Sequence, residues 1–238
     1  MAITTVLFDL DGTLLPMEQE QFVKAYFGGL AKRLAPYGYD PQALIDGIWK
    51  GTAAMVKNDG SKLNEEAFWD TFTAIFGEKA LADTPHFEAF YREDFDRVSA
   101  SCGYSPRARE VIDLLKARGF RTVLATNPIF PAIATEKRIR WAGLSPTDFA
   151  HCTTYENSRF CKPNPAYYKE ILSHLGLCAE ECLMVGNDVE EDMVAASLGF
   201  KVFLLTNCLI SRGNTDISKY PHGGFDELEN FLKNEIFS

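Results

Sequence analysis

Thr5-Val6-Leu7-Phe8-Asp9-Leu10-Asp11-Gly12-Thr13-Leu14-Leu15 reads as a buried strand that stops abruptly on two carboxylates. Side chains alternate along a strand, so Asp9 and Asp11 point the same way if the extended path continues. Two like charges converging at a strand end are costly unless a cation shares them. A hard, oxygen-loving metal such as magnesium would do so. Gly12 lets the backbone turn tightly and brings its N–H close to a ligand, and the Thr13 hydroxyl can hold the turn or an anion. Asp-Gly after a strand is also an ordinary turn signal, so the stretch decides little until partners are found elsewhere in the chain.

The 238 residues suffice for one large domain or for a core with a smaller insert. A hydrophobic content of 46% and a charged content of 24% are ordinary for a globular protein with a sizeable core. The formal net charge of -9 argues against nucleic acid as a partner, because phosphate backbones attract basic surfaces. No apolar run approaches the ~20 residues that span a bilayer. The apolar N-terminal stretch has no leading basic region and runs straight into Asp9, so no signal peptide is expected. The six cysteines lack metal-ligand pairing, Cys178 and Cys182 included, and read as reduced thiols of a cytoplasmic protein.

Outward from the first strand, Phe22, Ala25, Tyr26, Phe27 and Leu30 fall at helical spacings and predict a helix from about Glu18 to Ala35, ended by Pro36-Tyr37-Gly38. A second is expected from Pro41 towards Val56, a third capped by Asn64 and carrying Phe68, Trp69, Phe72 and Phe76, and a fourth opened by Pro85. The aromatics Trp49, Phe68, Trp69, Phe72, Phe90 and Phe95 read as the core of this helical segment. Lys50 and Gly51 are the candidates for facing a site, and the stretch Trp49 to Thr52 the candidate for selecting a leaving group. From Ser105 the pattern changes. A helix opened by Ser105-Pro106 and closed by Gly119 is followed by strands expected at Phe120–Ala125, Phe149–Thr154, Cys182–Val185 and Lys201–Leu205. Helices fall between them at Pro131–Ala142, Pro165–Leu175 and Met193–Leu198, with a last one from about Asp226 to Ile236. Such alternation implies an α/β fold with a doubly wound, mostly parallel sheet. The first strand belongs to that sheet. Residues 1–15 and 100–238 are therefore expected to form the α/β core, with 16–99 as an inserted all-helical cap.

Ligands of open parallel sheets bind at the carboxyl ends of the strands. Asp9 and Asp11 follow the first strand, Thr126 and Asn127 the second, and Gly186, Asn187, Asp188 and then Asp192 follow Cys182–Val185. Lys162 lies on the entry to the helix that begins at Asn164-Pro165, and Pro163 biases it towards an extended conformation. Singly, each has an ordinary reading: a turn, a solvated lysine, the favourable acids of a helix first turn. Together they supply carboxylates, hydroxyl and amide donors and one lysine, the parts of a metal-plus-anion site.

Asp-Leu-Asp-Gly-Thr, Ala-Thr-Asn, Lys-Pro-Asn-Pro and Gly-Asn-Asp-Val-Glu-Glu-Asp, in this order, resemble the four motifs of the haloacid dehalogenase-like hydrolase superfamily. The insert after the first motif resembles that family's helical cap. The resemblance implies a magnesium-dependent phosphatase in which Asp9 is the nucleophile and Asp11 the general acid and base. It implies that Asp9, the Asp11 backbone carbonyl and Asp188 hold the metal, with Asp192 one helical turn on as a further candidate. Thr126, Asn127, Lys162 and the backbone N–H groups of Leu10 and Asp11 would hold the phosphoryl oxygens. The extra Asn187 departs from the commonest family spelling and leaves open which of Asp188 and Asp192 lies closer to the metal. A carboxylate at position 11 disfavours the dehalogenases and phosphonate hydrolases of the family. A phosphomutase would share every motif and stays open. A catalytically silent binding protein is disfavoured by the complete set of acids and the lysine. The expected partner is a small phosphorylated metabolite, reached through a cap that opens and closes about linkers near Leu15-Pro16 and Ser99-Gly103.

Overall fold

The structure is a computed structural model that describes residues 2–213 and 215–237. Five parallel strands, β1 (Thr5–Phe8), β2 (Arg121–Leu124), β3 (Cys182–Gly186), β4 (Lys201–Leu205) and β5 (His222–Gly223), form one sheet in the order β2-β1-β3-β4-β5. Phe8 lies opposite Leu124 on one side and Val185 on the other. The carboxyl ends of three strands therefore finish at one level around β1, where the strand order reverses and such folds leave a crevice.

The central strand is buried on both faces, which is why Thr5–Phe8 reads as a continuous apolar run rather than an alternation. Val6 and Phe8 join a cluster with Val111, Ile112 and Leu115 of α6 (Pro106–Ala117) and with Leu228 of α9 (Phe225–Phe231). Leu7 faces the other way, towards Tyr167, Tyr168 and Ile171 of α8 (Pro165–Leu175). Each fully buried side chain of this kind contributes about 1.5–3 kcal/mol, so a one-residue slip of β1 would be strongly disfavoured.

Between β1 and α6 the chain is helical: α1 (Gln19–Leu34), α2 (Pro41–Val56), α3 (Asn64–Phe76), α4 (Lys79–Ala82) and α5 (Thr84–Ala89). Asp40 caps α2 by accepting the Ala43 N–H at 2.9 Å, with Pro41 at the first helical position. Phe72, Phe90 and Phe95 are fully buried in the cluster of this insertion. Ala134 of α7 (Ala132–Trp141) and Cys161 belong to the same cluster, so insertion and sheet domain share an apolar seam. The two crossing points run side by side: Gly103 N–H donates to Pro16 O at 2.7 Å and Met17 bridges Cys102.

Four expectations need correction. Phe149–Thr154 is not a strand. It runs beside β2 with Ala150 N–H on Thr122 O and Thr153 N–H on Leu124 O, but only Leu124 and Cys152 form a bridge. Met193–Leu198 is a 3-10 helix stopped by Gly199 at φ 100. The segment from Phe90 loosens and then tightens, as a π turn over Phe90–Asp94 and a 3-10 helix over Phe95–Ser101. Asn64 is not a cap but the first residue of α3. Its buried amide donates to Pro128 O (3.3 Å) and Cys161 Sγ (3.4 Å), tying the insertion to the sheet domain. Among the described residues no helix is long and apolar enough to cross a membrane.

Candidate active site

β1 delivers Asp9 to the crevice, held by its N–H on Val185 O (3.0 Å). The chain then turns through Gly12 (φ 87), with Gly12 N–H on Leu15 O and Thr13 N–H on Leu10 O. Among the described residues the backbone bonds of this turn take neither the Leu10 nor the Asp11 N–H. The Leu10 side chain is fully buried in the core, so only its backbone can serve the site. Thr13 Oγ1 donates to Asn187 Oδ1 at 2.8 Å, and Asn187 Nδ2 donates to Cys208 O at 2.7 Å. A Cβ at position 12 would lie 2.3 Å from Asn187 Nδ2, so close approach and left-handed backbone both require glycine there. Asn187 thus braces the turn that carries Asp11.

Lys162 is 1% exposed, and its ammonium lies 3.0 Å from Asp9 Oδ1 and 2.6 Å from Asp192 Oδ1. Burial alone would disfavour its charge, but the two carboxylates outweigh that and push its pKa well up. Asp192 Oδ2 accepts the Asp188 N–H at 2.9 Å. Both Asp192 oxygens are thereby occupied, in holding Lys162 and shaping the turn into Asp188. A Cβ on Gly186 would sit 2.1 Å from Asp192 Oδ2, so the strand must end in glycine for this acid to fit. Asp188 Oδ1 accepts the N–H groups of Glu190 and Glu191, both at 2.9 Å, and Oδ2 faces Arg212 Nη1 at 2.7 Å.

Thr126 and Asn127 line the same cleft as Asp9, Asp11 and Asp188. Asn127 spends its amide on neighbours: Nδ2 donates to Glu191 Oε2 (3.0 Å) and Oδ1 accepts the Lys162 N–H (3.3 Å). It fixes the lysine's backbone. Lys50 is exposed and stands outside the cleft lining, whereas Trp49 and Thr52 on the same helix do line it. Gly51 packs under Phe68. Phe68 and Trp69 belong to the cleft wall as well as to the helical core, whereas Trp49, expected in that core, is 49% exposed and only lines the cleft.

Arg138 is a participant that motif reading does not reach. It lies on α7, fully buried, and its Nη1 is paired with Asp11 Oδ2. Nη2 donates to Thr135 Oγ1 (3.2 Å), and the guanidinium lies 4.5 Å from the Phe130 ring centroid. Asp11 Oδ1, also buried, has no hydrogen-bond partner among the described residues. The only sequence sign is an arginine among the apolar positions of a helix, which usually signals a solvated face.

The site is short of positive charge. Burial raises the pKa of Asp9 and Asp188 despite the nearby Lys162 and Arg212, and pushes Glu191 up to about 7. Among the described residues no three His, Cys, Asp or Glu side chains form a protein-only metal cage. Two strand-end carboxylates, backbone carbonyls and an open cleft suit a hard divalent ion that keeps much of its water. The residues present therefore fit such a cation, and Asp9 and Asp188 are the side chains that would hold it.

The profile of the haloacid dehalogenase-like hydrolase family matches residues 3–207. The pyrophosphatase PpaX of Bacillus velezensis is 25% identical over 199 residues, 84% of this chain and 81% of that protein. A 2-haloacid dehalogenase from Pseudomonas syringae superposes with a TM-score of 0.64 at 19% identity, over 97% of this chain and 98% of its own. The HAD-hydrolase YfnB from Bacillus subtilis, solved bound to magnesium, gives 0.56 at 18% identity over 98% and 99%. At these identities the structural likenesses speak for the fold.

Proposed function

The chain belongs to the haloacid dehalogenase-like hydrolase family, and from that premise we propose that it is a magnesium-dependent phosphatase that hydrolyses a small phosphomonoester through an aspartyl-phosphate on Asp9. The observation that carries this reading is the buried bridge of Lys162 between Asp9 and Asp192 at the strand ends, with Asp11 on the same cleft. Lys162 holds Asp9 Oδ1 and so orients the carboxylate, while its charge offsets the repulsion between an attacking carboxylate and a phosphoryl group. Asp11 gives a proton to the leaving oxygen. It then takes one from the water that attacks the aspartyl-phosphate. Arg138 pairs with Asp11 Oδ2 and so orients the carboxyl group over the cleft. Thr126 and the backbone N–H groups of Leu10 and Asp11 receive the phosphoryl oxygens. Magnesium, held by Asp9, Asp188 and the Asp11 carbonyl, would supply neutralisation of the developing charge. Residues 16–99 act as the cap in this reading, docked through Asn64 and closing the site from water.

Release of inorganic phosphate from p-nitrophenyl phosphate and a panel of phosphometabolites tests the reading, with magnesium or EDTA, on wild type and Asp9→Asn. Release that needs magnesium and falls about a thousandfold or more in the variant is expected. Folded, magnesium-loaded wild type that releases phosphate from nothing would overturn it.

A further inference from the structure

The catalytic carboxylates form the floor of a cleft of about 940 Å³ that runs up between the sheet domain and the helical insertion. Sites of 300–1,000 Å³ hold ligands of drug size, so the cleft far exceeds what a two- or three-carbon leaving group fills. Its walls are aromatic: Phe22, Tyr26, Trp49, Phe68, Trp69 and Phe130. Trp49 stands at the mouth, 49% exposed, with its ring 5.4 Å from that of Phe27. Large apolar surface left open to water beside a reacting centre is costly unless something covers it.

Charge narrows the occupant further. Among the described residues lining the cleft, the one cation is Arg212. It is committed to Asp188 (2.7 Å) and Glu191 (3.5 Å). The two cations behind the wall are also taken, Lys162 by Asp9 and Asp192 and Arg138 by Asp11. Among the described residues lining the cleft no uncommitted lysine or arginine is left to receive a second phosphate or a carboxylate, and Glu18 and Glu20 on the lining would repel one. Two of the three tyrosines on the lining, Tyr26 and Tyr91, bond each other at 2.9 Å and so offer little to a sugar.

We propose that the substrate carries a single phosphoryl group on an uncharged, ring-bearing apolar alcohol about as large as a bicyclic aromatic, which the insertion's aromatic wall clasps. This deepens the phosphomonoesterase reading and rests on it. The wall selects by burying rings, and the missing cation selects against bisphosphates, diphosphates and phosphorylated acids.

Two measurements test it on the whole chain with magnesium. The first compares kcat/KM for 2-naphthylmethyl phosphate, glycerol 3-phosphate and phosphoglycolate, all esters of aliphatic alcohols. At least a tenfold preference for the naphthylmethyl ester is expected. Trp49→Ala should lower it about tenfold through KM while glycerol 3-phosphate stays within about twofold, and Trp49→Phe should restore most of the loss. Equal or better turnover of either polar ester would overturn the proposal. The second is calorimetric binding of 2-naphthylmethylphosphonate against phosphonoacetate, which needs no turnover. If no ester releases phosphate, the phosphatase reading fails and binding alone decides the cleft. Affinity tenfold higher for the aromatic phosphonate, lost in Trp49→Ala, keeps the proposal, and equal or weaker affinity ends it.

Discussion

Asp11 and Arg138 are 127 positions apart, yet the buried guanidinium is aimed at the carboxylate that acts as acid and base in the proposed reaction. Removing one partner of a buried pair costs about 3–5 kcal/mol, so Arg138→Ala should lower Tm clearly. A positioning role predicts more than that. In the folded fraction kcat should fall about tenfold or more with KM within about twofold, because the substrate does not touch Arg138. Arg138→Lys should recover stability better than kcat, since an ammonium cannot reproduce the guanidinium fork. If Arg138→Ala melts earlier but turns over p-nitrophenyl phosphate at the wild-type kcat, the arginine is structural only. Asp9, Asp11, Lys162, Asp188 and Asp192 were legible in the sequence because each follows a strand or opens a helix at a fixed offset. Arg138 was not. Nothing local distinguishes an arginine on α7 that points inward from one that points to water, and its partner is set by tertiary packing alone. Likewise the partners of Asp188 and Asp192 need coordinates, because only there is Asp192 seen to hold Lys162 and the Asp188 N–H, and Asp188 to accept two backbone N–H groups and face Arg212.

Among the elements, α2 and α3 show how the insertion sets the cleft. Gly47 and Gly51 lie one helical turn apart on α2, and a Cβ at either would come within 2.5 Å of a ring of α3, Phe76 or Phe68. Alanine is the better helix former by about 1 kcal/mol, but forcing a methyl into this contact costs about 1–3 kcal/mol. Gly51→Ala should therefore destabilise by about 1 kcal/mol in urea unfolding. It should also push Phe68 towards the cleft and raise KM for bulky esters while leaving small ones alone. A more stable variant with unchanged KM would show that the ring moves aside freely. The helices themselves were legible, because apolar residues recur with the helical period and Asp40-Pro41 and Gly77 mark ends. That Trp49, Phe68 and Trp69 face an open cleft was not, because periodicity reports which residues share a side and says nothing of whether that side meets protein or a ligand. Phe149–Thr154 misled for a related reason. Its composition suits a strand, but after Thr153 the chain leaves β2 and the ladder never forms.

Across the whole molecule two groups of acids pull stability in opposite directions with pH. Burial raises the pKa of Asp148, but hydrogen bonds from Arg109 (2.6 Å) and Lys116 (2.8 Å) more than reverse this and hold it well below the usual carboxylate range. Its contribution is present above the unfolded value near 4 and is lost as pH falls below it. Glu191 is the opposite case. Burial, with Asp188 and Asp192 nearby, pushes its pKa up to about 7 although Lys162 lowers it. Folding then favours the protonated form, so this contribution is complete below the unfolded value near 4.5 and is lost as pH rises through about 7. Glu191 is 24% exposed, which discounts the full shift to about 2 kcal/mol, or about 5 °C in Tm for a chain of this length. The metal-free chain should therefore be most stable near pH 5 and melt about 5 °C lower at pH 8, by scanning calorimetry. Glu191→Gln should flatten the alkaline side of that curve, and Asp148→Asn should lower Tm near neutrality while flattening the acid side. Magnesium should raise Tm more at pH 8 than at pH 5, because the cation binds carboxylates that are ionised there. A Tm that is level from pH 5 to 8 without metal, or a magnesium effect that is larger in acid, would mean that the site's acids are not short of positive charge.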